Sequence, residues 1–183
     1  LLRRRRPMPR GRCLGGSSSP NAMLWSPVHP AAYDAWAAGG APGWSSPDLL
    51  PYFRRSERRA GGDPVHRGDE GPMRVGPLAA VHPIAHALLG AASERGLPVL
   101  DDANAGENEG AVYADYNAVV GEDGAFERWS VVRAYLEPAL GRPNLDVLVG
   151  SRVHGVLLEG ATVRGIRHIV DGAVVTTRAA QTI

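Results

Sequence analysis

The most regular pattern of apolar positions in the chain lies within residues 83–95. Apolar side chains recur there at spacings of three and four residues, at Ile84, Ala87, Leu88 and Ala91. This spacing places them on one face of an α-helix. Gly96 and Pro98 follow directly and are typical residues for ending a helix. The pattern therefore predicts a helix over Pro83–Arg95.

Three further segments carry the start and stop signals of helices. A helix over residues 30–38 would begin at Pro30 and end before two glycines. Ser46 is predicted to cap a second helix that has Pro47 and Asp48 in its first turn and runs to about residue 59. Ser130 is predicted to cap a third helix, which runs to residue 140 and ends at a Gly-Arg-Pro-Asn sequence.

Short apolar runs rich in β-branched residues dominate the second half of the chain. Strands are predicted at residues 111–120, near Phe126, and at residues 145–149, 152–158, 163–170 and 173–177. Asp171-Gly172 separates the last two and is a strong signal for a tight hairpin. Residues 1–29 contain many glycines and serines and predict a loop, and residues 60–81 predict an extended connector. This mixture predicts an α/β class with mixed α+β character, as one part of a larger fold.

The composition of the 183 residues excludes several kinds of chemistry. All 20 basic residues are arginine, so no lysine of this chain can form a Schiff base or bind phosphate in a P-loop. Cys13 is the single cysteine, which excludes an internal disulfide and a cysteine-based zinc site. No apolar stretch has the length of roughly 20 residues that a membrane helix needs. The arginine-only, alanine- and glycine-rich usage suggests a bacterial protein, which we expect in the cytoplasm.

Basic residues are concentrated at the start of the chain. Residues 1–12 contain six arginines and no acidic residue, although the formal net charge of the whole chain is only +1. Such a segment can contact nucleic acid or a membrane surface, or it can be a solvated terminal segment. No aromatic residue interrupts the run, and we therefore expect no nucleic-acid partner.

A glycine- and serine-rich segment at residues 9–23 carries the most specific chemistry. Consecutive glycines allow close approach of a ligand and can present backbone N–H groups in a concave nest. Serine hydroxyls and a neighbouring Arg12 suit phosphate groups, and the Asn21 amide suits the edge of a heteroaromatic ring. The segment therefore predicts an anion or nucleotide-phosphate loop, with a flexible linker as the alternative.

Other candidate sites are less specific. His82 and His86 have a spacing that can chelate zinc, but the pattern lacks the Glu of a zinc protease motif, and we expect capping or surface histidines. The acidic residues at positions 101, 102, 107 and 109 lie in a Gly- and Asn-rich sequence without calcium-loop spacing and are predicted to be a solvated loop. Trp25, Trp36 and Trp44 are expected to anchor the core. We predict no metal site.

The order of motifs along the chain resembles the glucose-methanol-choline (GMC) flavoprotein oxidoreductases. The family's first signature is matched by Gly-Gly-Ser-Ser at residues 15–18 followed by Asn21, Ala22 and Met23. Similar blocks continue in order at residues 29–36, 43–45, 50–57, 128–130 with 134–136, 144–147 and 152–157. Pro20 departs from the pattern, because the family usually has an aliphatic residue there. The resemblance covers nearly the whole chain.

The resemblance implies an FAD-binding role for a defined set of residues. Gly15, Gly16, Ser17 and Ser18 would lie along the FAD near its pyrophosphate and ribityl chain, with Arg12 and Cys13 at the loop entry. Asn21, Ala22 and Met23 would approach the flavin ring. The backbone of Val153 would pair with the adenine. The expected cofactor is FAD and the expected partner is a small-molecule alcohol substrate.

The resemblance also implies which parts of the family's fold this chain lacks. It contains no Gly-x-Gly-x-x-Gly turn, so the first βαβ unit is missing, and the family's catalytic histidine is expected C-terminal to residue 183. The expected organisation is a partial FAD-binding domain with part of the substrate-covering region, divided into a cofactor-loop segment (1–30), a connector (60–81) and a strand-rich segment (145–183). The implied activity is oxidation of the CH–OH group of an alcohol or choline-like donor by hydride transfer to the flavin. The alternatives are a hydroxynitrile-lyase-type enzyme on the same scaffold and a non-catalytic nucleotide-binding or basic-arm module.

Overall fold

The computed structural model of the chain describes residues 6–78, 80–106, 108–121 and 123–181. The chain divides into two compact units, Leu1–Ala139 and Leu140–Ile183. Three of the six arginines of the basic start, at positions 3, 4 and 5, lie outside the described residues, as does the acidic residue at position 107.

Three α-helices form in the first unit: α1 (Pro30–Ala38), α2 (Ser46–Ser56) and α3 (Pro83–Glu94). The helices α1 and α3 confirm the predicted ranges to within a residue. Each helix has a proline in its first turn, preceded by a histidine at the capping position. The histidine Nδ1 accepts a hydrogen bond from a backbone N–H of the first turn: His29 accepts from Ala31, and His82 accepts from Ile84. The prediction of His82 as a capping residue is therefore confirmed.

The helix α2 differs from its prediction at both ends. Its capping residue is Ser45 rather than Ser46, and the Asp48 side chain bonds back to the Ser45 backbone in a capping box. The helix ends at Ser56 because Glu57 adopts an extended backbone and enters strand β1 (Glu57–Arg58). Strand β1 pairs in parallel with β2 (Met73–Arg74), which lies within the predicted connector.

A second strand pair follows, with β3 (Ala118–Val120) antiparallel to β4 (Phe126–Arg128). The predicted strand over residues 111–120 is thus mostly irregular, although Tyr116 bridges both Leu24 and Gly76. The helix predicted from Ser130 is wrong in type: a π-helical turn covers Val132–Leu136 and a 3-10 turn Glu137–Ala139, without a side-chain cap. Pro138 lacks an N–H group and cannot continue a regular α-helix.

The second unit is a three-stranded antiparallel sheet in the order β5 (Arg152–Glu159), β6 (Thr162–Val170) and β7 (Ala173–Arg178). The predicted hairpin is confirmed, since Asp171 and Gly172 both have positive φ, as a tight two-residue turn requires. The strand predicted at residues 145–149 is wrong. These residues find no pairing partner among the described residues, and a strand needs a neighbour to bond its backbone.

The interior of the first unit is small and largely polar. Met73, Val75 and Ala134 form its apolar centre, with Trp25 and Trp129 packed against them. Five polar or charged residues among the described part of this unit are also buried: Glu57, Arg67, Asn104, Asp115 and Asn117. The expectation that Trp36 and Trp44 anchor the core is wrong, because both side chains are about half exposed.

Candidate functional site

The glycine- and serine-rich segment folds into an exposed loop around a single 3-10 turn, Gly16–Ser18. Gly15 and Gly16 have φ of 82° and 52°, in the left-handed region that a glycine adopts without steric cost. Gly11 packs against the turn so closely that a Cβ atom there would lie 2.1 Å from the Gly16 carbonyl oxygen. The two arms of the loop therefore approach as closely as they do only because residue 11 is glycine.

The serine side chains mainly brace the loop from within. The Ser18 hydroxyl donates to the Gly15 carbonyl at 2.6 Å, and the Ser19 hydroxyl donates to the Leu14 carbonyl at 2.8 Å. Ser17 Oγ accepts the Gly11 N–H at 3.2 Å and so retains its own O–H as a donor. Of the three hydroxyls that the sequence offered as ligand donors, Ser17 is thus the one still available.

Backbone amides supply the other free donors of the loop. In the part of the chain that the structure describes, the N–H groups of Leu14, Gly15 and Ser17 have no hydrogen-bond acceptor. The exposed Arg12 guanidinium likewise has no carboxylate partner among the described residues. Unpaired N–H groups and a guanidinium without a carboxylate partner, in one loop, are groups that suit an anion.

Arg128, at the end of β4, fixes the far end of the loop. Its Nη1 donates to the Asn21 Oδ1 at 2.5 Å and to the Ser18 carbonyl at 3.1 Å, and its Nη2 donates to the Asn21 carbonyl at 2.8 Å. The backbone N–H of Val131 adds a bond to Ser18 Oγ at 3.2 Å. These contacts join the loop to a strand more than 100 residues later in the sequence.

The predicted binding residues therefore fall into two places. Those at positions 12, 13, 15–18 and 21–23 all lie in this one loop, where Met23 also has a left-handed φ of 63°. Val153 lies in β5, in the other unit, and about half of its surface is exposed. Because β5 is an edge strand, one side of its backbone has no ladder partner among the described strands.

A buried cluster of charged residues lies elsewhere in the first unit. The Arg67 guanidinium donates to Glu57 through Nε at 2.9 Å, to Asp102 through Nη1 at 2.7 Å and to Asp115 through Nη2 at 2.9 Å. Arg59 adds a second cation on Asp115 at 3.1 Å. Burial alone would lower the pKa of Arg67, but the bonds and charges of the three carboxylates outweigh it and raise that pKa above its usual value.

This cluster corrects one expectation and was not predicted as a group. Asp102 was predicted to be solvated, yet it is held by both of its oxygens against Arg67, 35 positions earlier. No periodicity or motif in the sequence joins residues so far apart. We identify the cluster as structural, because every carboxylate in it is bonded to at least one arginine.

An apolar cavity of about 630 Å³ adjoins the cluster. Trp25, Tyr33 and Phe53 supply aromatic walls, and the Trp25 ring N–H donates to Glu57 at 2.7 Å. Asn104 also lines the cavity; its Nδ2 donates to the Trp25 carbonyl, while its buried Oδ1 has no partner. Within the described ranges no group of three or more His, Cys, Asp or Glu side chains is arranged to hold a metal ion.

Comparison with known proteins decides the family. A family model described as GMC oxidoreductase matches residues 2–183. The chain belongs to the GMC oxidoreductase family. This confirms the resemblance seen in the motifs, and the mixed fold class with it. In the described residues, no helix has both the length and the apolar character needed to cross a bilayer.

Two relatives illustrate how much of a GMC oxidoreductase the chain represents. It is 41% identical over 164 residues to "Choline dehydrogenase, mitochondrial" of Mus musculus and 38% identical over 178 residues to "Oxygen-dependent choline dehydrogenase" of Brucella anthropi. These alignments cover 90% of this chain but 27% and 32% of the two relatives, so the chain spans less than a third of their length. One relative is mammalian and one bacterial, so neither tests the expected bacterial origin.

Solved GMC-type structures resemble this fold over most of its length. The crystal structure of pyridoxine 4-oxidase from Mesorbium loti matches 94% of the chain with a TM-score of 0.81 and 32% identity. An FAD-dependent oxidoreductase from Chaetomium thermophilum matches 94% with a TM-score of 0.84 and 26% identity. The chain spans 33% and 32% of these two proteins.

Proposed function

We propose that this chain forms part of the FAD-binding domain of an enzyme that oxidises the CH–OH group of a small alcohol, with a choline-like compound as the first substrate to test. The observation that carries the proposal is the loop that contains both unpaired N–H groups and the exposed Arg12 guanidinium, which has no carboxylate partner among the described residues. The two relatives named above, both choline dehydrogenases, support the substrate class.

The loop suits the FAD pyrophosphate in charge, and its surface leaves room for a ligand at Gly16. The pyrophosphate is an anion, and it would accept from the N–H groups of Leu14, Gly15 and Ser17 while Arg12 neutralises its charge. At Gly16 a Cβ atom would have no heavy atom within 4 Å, so the surface there is open. A side chain at that position would occupy the space into which we place the ligand.

The residues that follow suit the flavin end of the cofactor. Asn21 and Ala22 are exposed beside the half-exposed Met23, and the positive φ of Met23 turns the chain at this point. We propose that these three residues lie against the flavin ring. Val153 would pair with the adenine through backbone groups of its edge strand, which explains how an apolar residue can serve there.

This chain's residues bind and orient; we assign them no proton transfer. FAD, when bound, supplies the acceptor for a hydride from the substrate carbon. The glycines keep the backbone close to the ligand, the free amides and Arg12 hold its anionic part, and the braces from Ser18 and Arg128 keep the loop in one conformation. Orientation of this kind lowers the entropic cost of reaching the reactive geometry.

The test compares variants of the enzyme that contains this chain. Arg12→Gln removes one charge-assisted bond, worth about 1.5–3 kcal/mol, and should weaken FAD binding at least roughly tenfold in a fluorescence titration. Gly16→Val should weaken it further, because the side chain fills the open surface and because a β-branched residue is strained at the positive φ of this position. Arg10→Gln is the matched control, since among the described residues the Arg10 guanidinium bonds only to the adjacent Pro9 carbonyl, and FAD affinity should stay within about twofold of the parent.

Two outcomes would contradict the proposal. A parent enzyme that binds no FAD removes the cofactor assignment. A parent that binds FAD, with Arg12→Gln and Gly16→Val binding it equally tightly, removes the role of this loop. The substrate class is tested separately, by the reduction of bound flavin on addition of choline or a simple primary alcohol.

A further inference from the structure

Arg128 determines which way the Asn21 amide points. A guanidinium can only donate hydrogen bonds, so the Asn21 atom that it contacts must be the carbonyl oxygen Oδ1. The Met23 backbone N–H donates to that same oxygen at 3.1 Å. Two independent donors therefore fix the orientation, and the opposite orientation would place the amide N–H₂ against a cation and another N–H.

The consequence is that Asn21 offers only donors to its surroundings. Its side chain is exposed, and no acceptor for Nδ2 exists among the residues that the structure describes. In an unconstrained exposed asparagine, the amide can rotate and present either its oxygen or its N–H₂ group. Here the oxygen is already occupied on the protein side of the loop.

The Arg128 contacts to Asn21, which we call the clamp, are held in place by a regular strand. Arg128 is the last residue of β4, where it pairs with Ala118 of β3, and the next residue, Trp129, donates its backbone N–H to the Asn117 carbonyl at 2.8 Å. The planar guanidinium donates to Asn21 Oδ1 and to two backbone carbonyls at once. The single ammonium group of a lysine cannot reproduce this arrangement of donors.

We propose that Arg128 is a positioning residue, which fixes the Asn21 amide so that its Nδ2–H₂ group donates to an acceptor atom on the edge of the flavin ring. This deepens the proposed function and rests on it, since it concerns the same cofactor loop. Asn21 is then the contact to the ligand, and Arg128 acts only through Asn21 and the backbone of the loop.

Three variants separate the clamp from the contact. Arg128→Gln removes the cation, and Arg128→Lys keeps the charge but cannot make all three hydrogen bonds at once. Asn21→Asp keeps an oxygen for both Arg128 and the Met23 N–H, but it replaces the donating N–H₂ group by a second carboxylate oxygen. Arg133→Gln is the control, because Arg133 bonds to Glu127 and donates no hydrogen bond to any described residue of the loop.

Two readouts do not depend on turnover. The first is hydrogen exchange at the Met23 amide in the FAD-free protein, which reports whether the loop keeps its bonds. We expect exchange to be faster by about tenfold or more in Arg128→Gln, intermediate in Arg128→Lys, and unchanged in Asn21→Asp and Arg133→Gln. The second is the bound flavin itself: its dissociation constant, visible absorption spectrum and midpoint potential.

The decisive variant for the ligand contact is Asn21→Asp. It should weaken FAD binding by about tenfold or more and shift the midpoint potential to a lower value, because a negative charge near the ring disfavours added electrons. Arg128→Gln should also weaken binding, and Arg128→Lys should restore part of the loss. Arg133→Gln should leave the spectrum, potential and affinity at the parent values.

The outcomes distinguish this proposal from the proposed function. If the parent binds no FAD, the proposed function fails and the donor role fails with it, while Met23 exchange still measures the clamp. If the parent binds FAD but Asn21→Asp leaves its affinity, spectrum and potential unchanged, the donor role alone is wrong. If Arg128→Gln leaves Met23 exchange unchanged, Arg128 does not position Asn21.

Discussion

Replacing Arg67 with methionine removes the cation at the centre of the buried cluster while keeping a long apolar side chain. The Arg67 side chain is 2% exposed, and its three carboxylate partners, Glu57, Asp115 and Asp102, are 5%, 7% and 16% exposed. After the substitution Asp115 keeps Arg59, and Glu57 keeps the Trp25 and Gly68 N–H groups. Among the described residues, the Asp102 carboxylate keeps only the backbone N–H of Asn104.

The expected loss is large because the carboxylates stay buried without their counter-charge. Breaking a buried ion pair by removing one partner costs about 3–5 kcal/mol. We expect about 4 kcal/mol here, a change of roughly a thousandfold in the ratio of folded to unfolded protein. Arg67→Lys should lose less, since a single ammonium restores the charge but cannot contact all three carboxylates.

Urea unfolding followed by tryptophan fluorescence and circular dichroism measures this loss. The control is Arg133→Met: the Arg133–Glu127 pair has a similar short contact of 2.6 Å, but its side chains are 39% and 42% exposed. Such an exposed pair contributes about 0–1 kcal/mol. The reasoning is refuted if Arg67→Met is no less stable than Arg133→Met, or if Arg67→Lys is less stable than Arg67→Met.

Three further predictions follow from single positions. In Gly90→Ala of α3, the added Cβ atom would have no heavy atom within 4 Å. Alanine loses less conformational entropy than glycine in a helix, so the free energy of unfolding in urea should rise by about 0.5–1 kcal/mol, and a less stable variant contradicts this. Gly11→Ala should weaken FAD binding by forcing the Gly16 carbonyl away, and equal affinity in the same titration as the parent would count against the loop packing. Hydrogen bonds lower the pKa of Asp63 from its ordinary value of 3.8, and the largest contribution comes from the His66 side chain, followed by the Val65 backbone amide. His66→Gln should therefore raise the pKa of Asp63 in a carbon-13 NMR titration. A carboxyl group with a lowered pKa stabilises the fold above about pH 3.8, and this stabilisation is lost as the pH falls further. The variant lacks it and should therefore begin to unfold at a higher pH than the parent during acid titration. An unchanged Asp63 titration would contradict the contact.

The elements that sequence reasoning predicted well are those that local chemistry determines. Proline in the first turn and glycine after the last turn bounded α1, and the Asp171-Gly172 pair fixed its hairpin because both residues accept a positive φ. The strand at residues 145–149 failed because β-propensity says nothing about whether a partner strand is adjacent. The cap of α2 was displaced by one residue, since Ser45 and not Ser46 is three positions from Asp48.

The sequence pointed to the loop of the candidate site but not to the hydrogen bonds that hold the loop in place. The glycine and serine spacing predicted an anion or nucleotide-phosphate loop at residues 9–23, and the family resemblance implied FAD as its ligand. Arg128 was visible only as part of a matching block, because its contact to Asn21 spans 107 positions of sequence. The Ser18 and Ser19 hydroxyls were expected to face a ligand, whereas they donate within the loop. Long-range hydrogen bonds of this kind leave no periodic trace.

The polar interior of the first unit has a consequence for how stability changes with temperature. Exposure of apolar surface raises the heat capacity on unfolding, whereas exposure of polar surface lowers it. A core in which Glu57, Arg67 and Asp115 are buried beside a few apolar side chains should therefore unfold with a small heat-capacity change per residue. The hydration that opposes burial of these charges also weakens on heating. The stability curve of this unit should be correspondingly flat, with little loss towards low temperature.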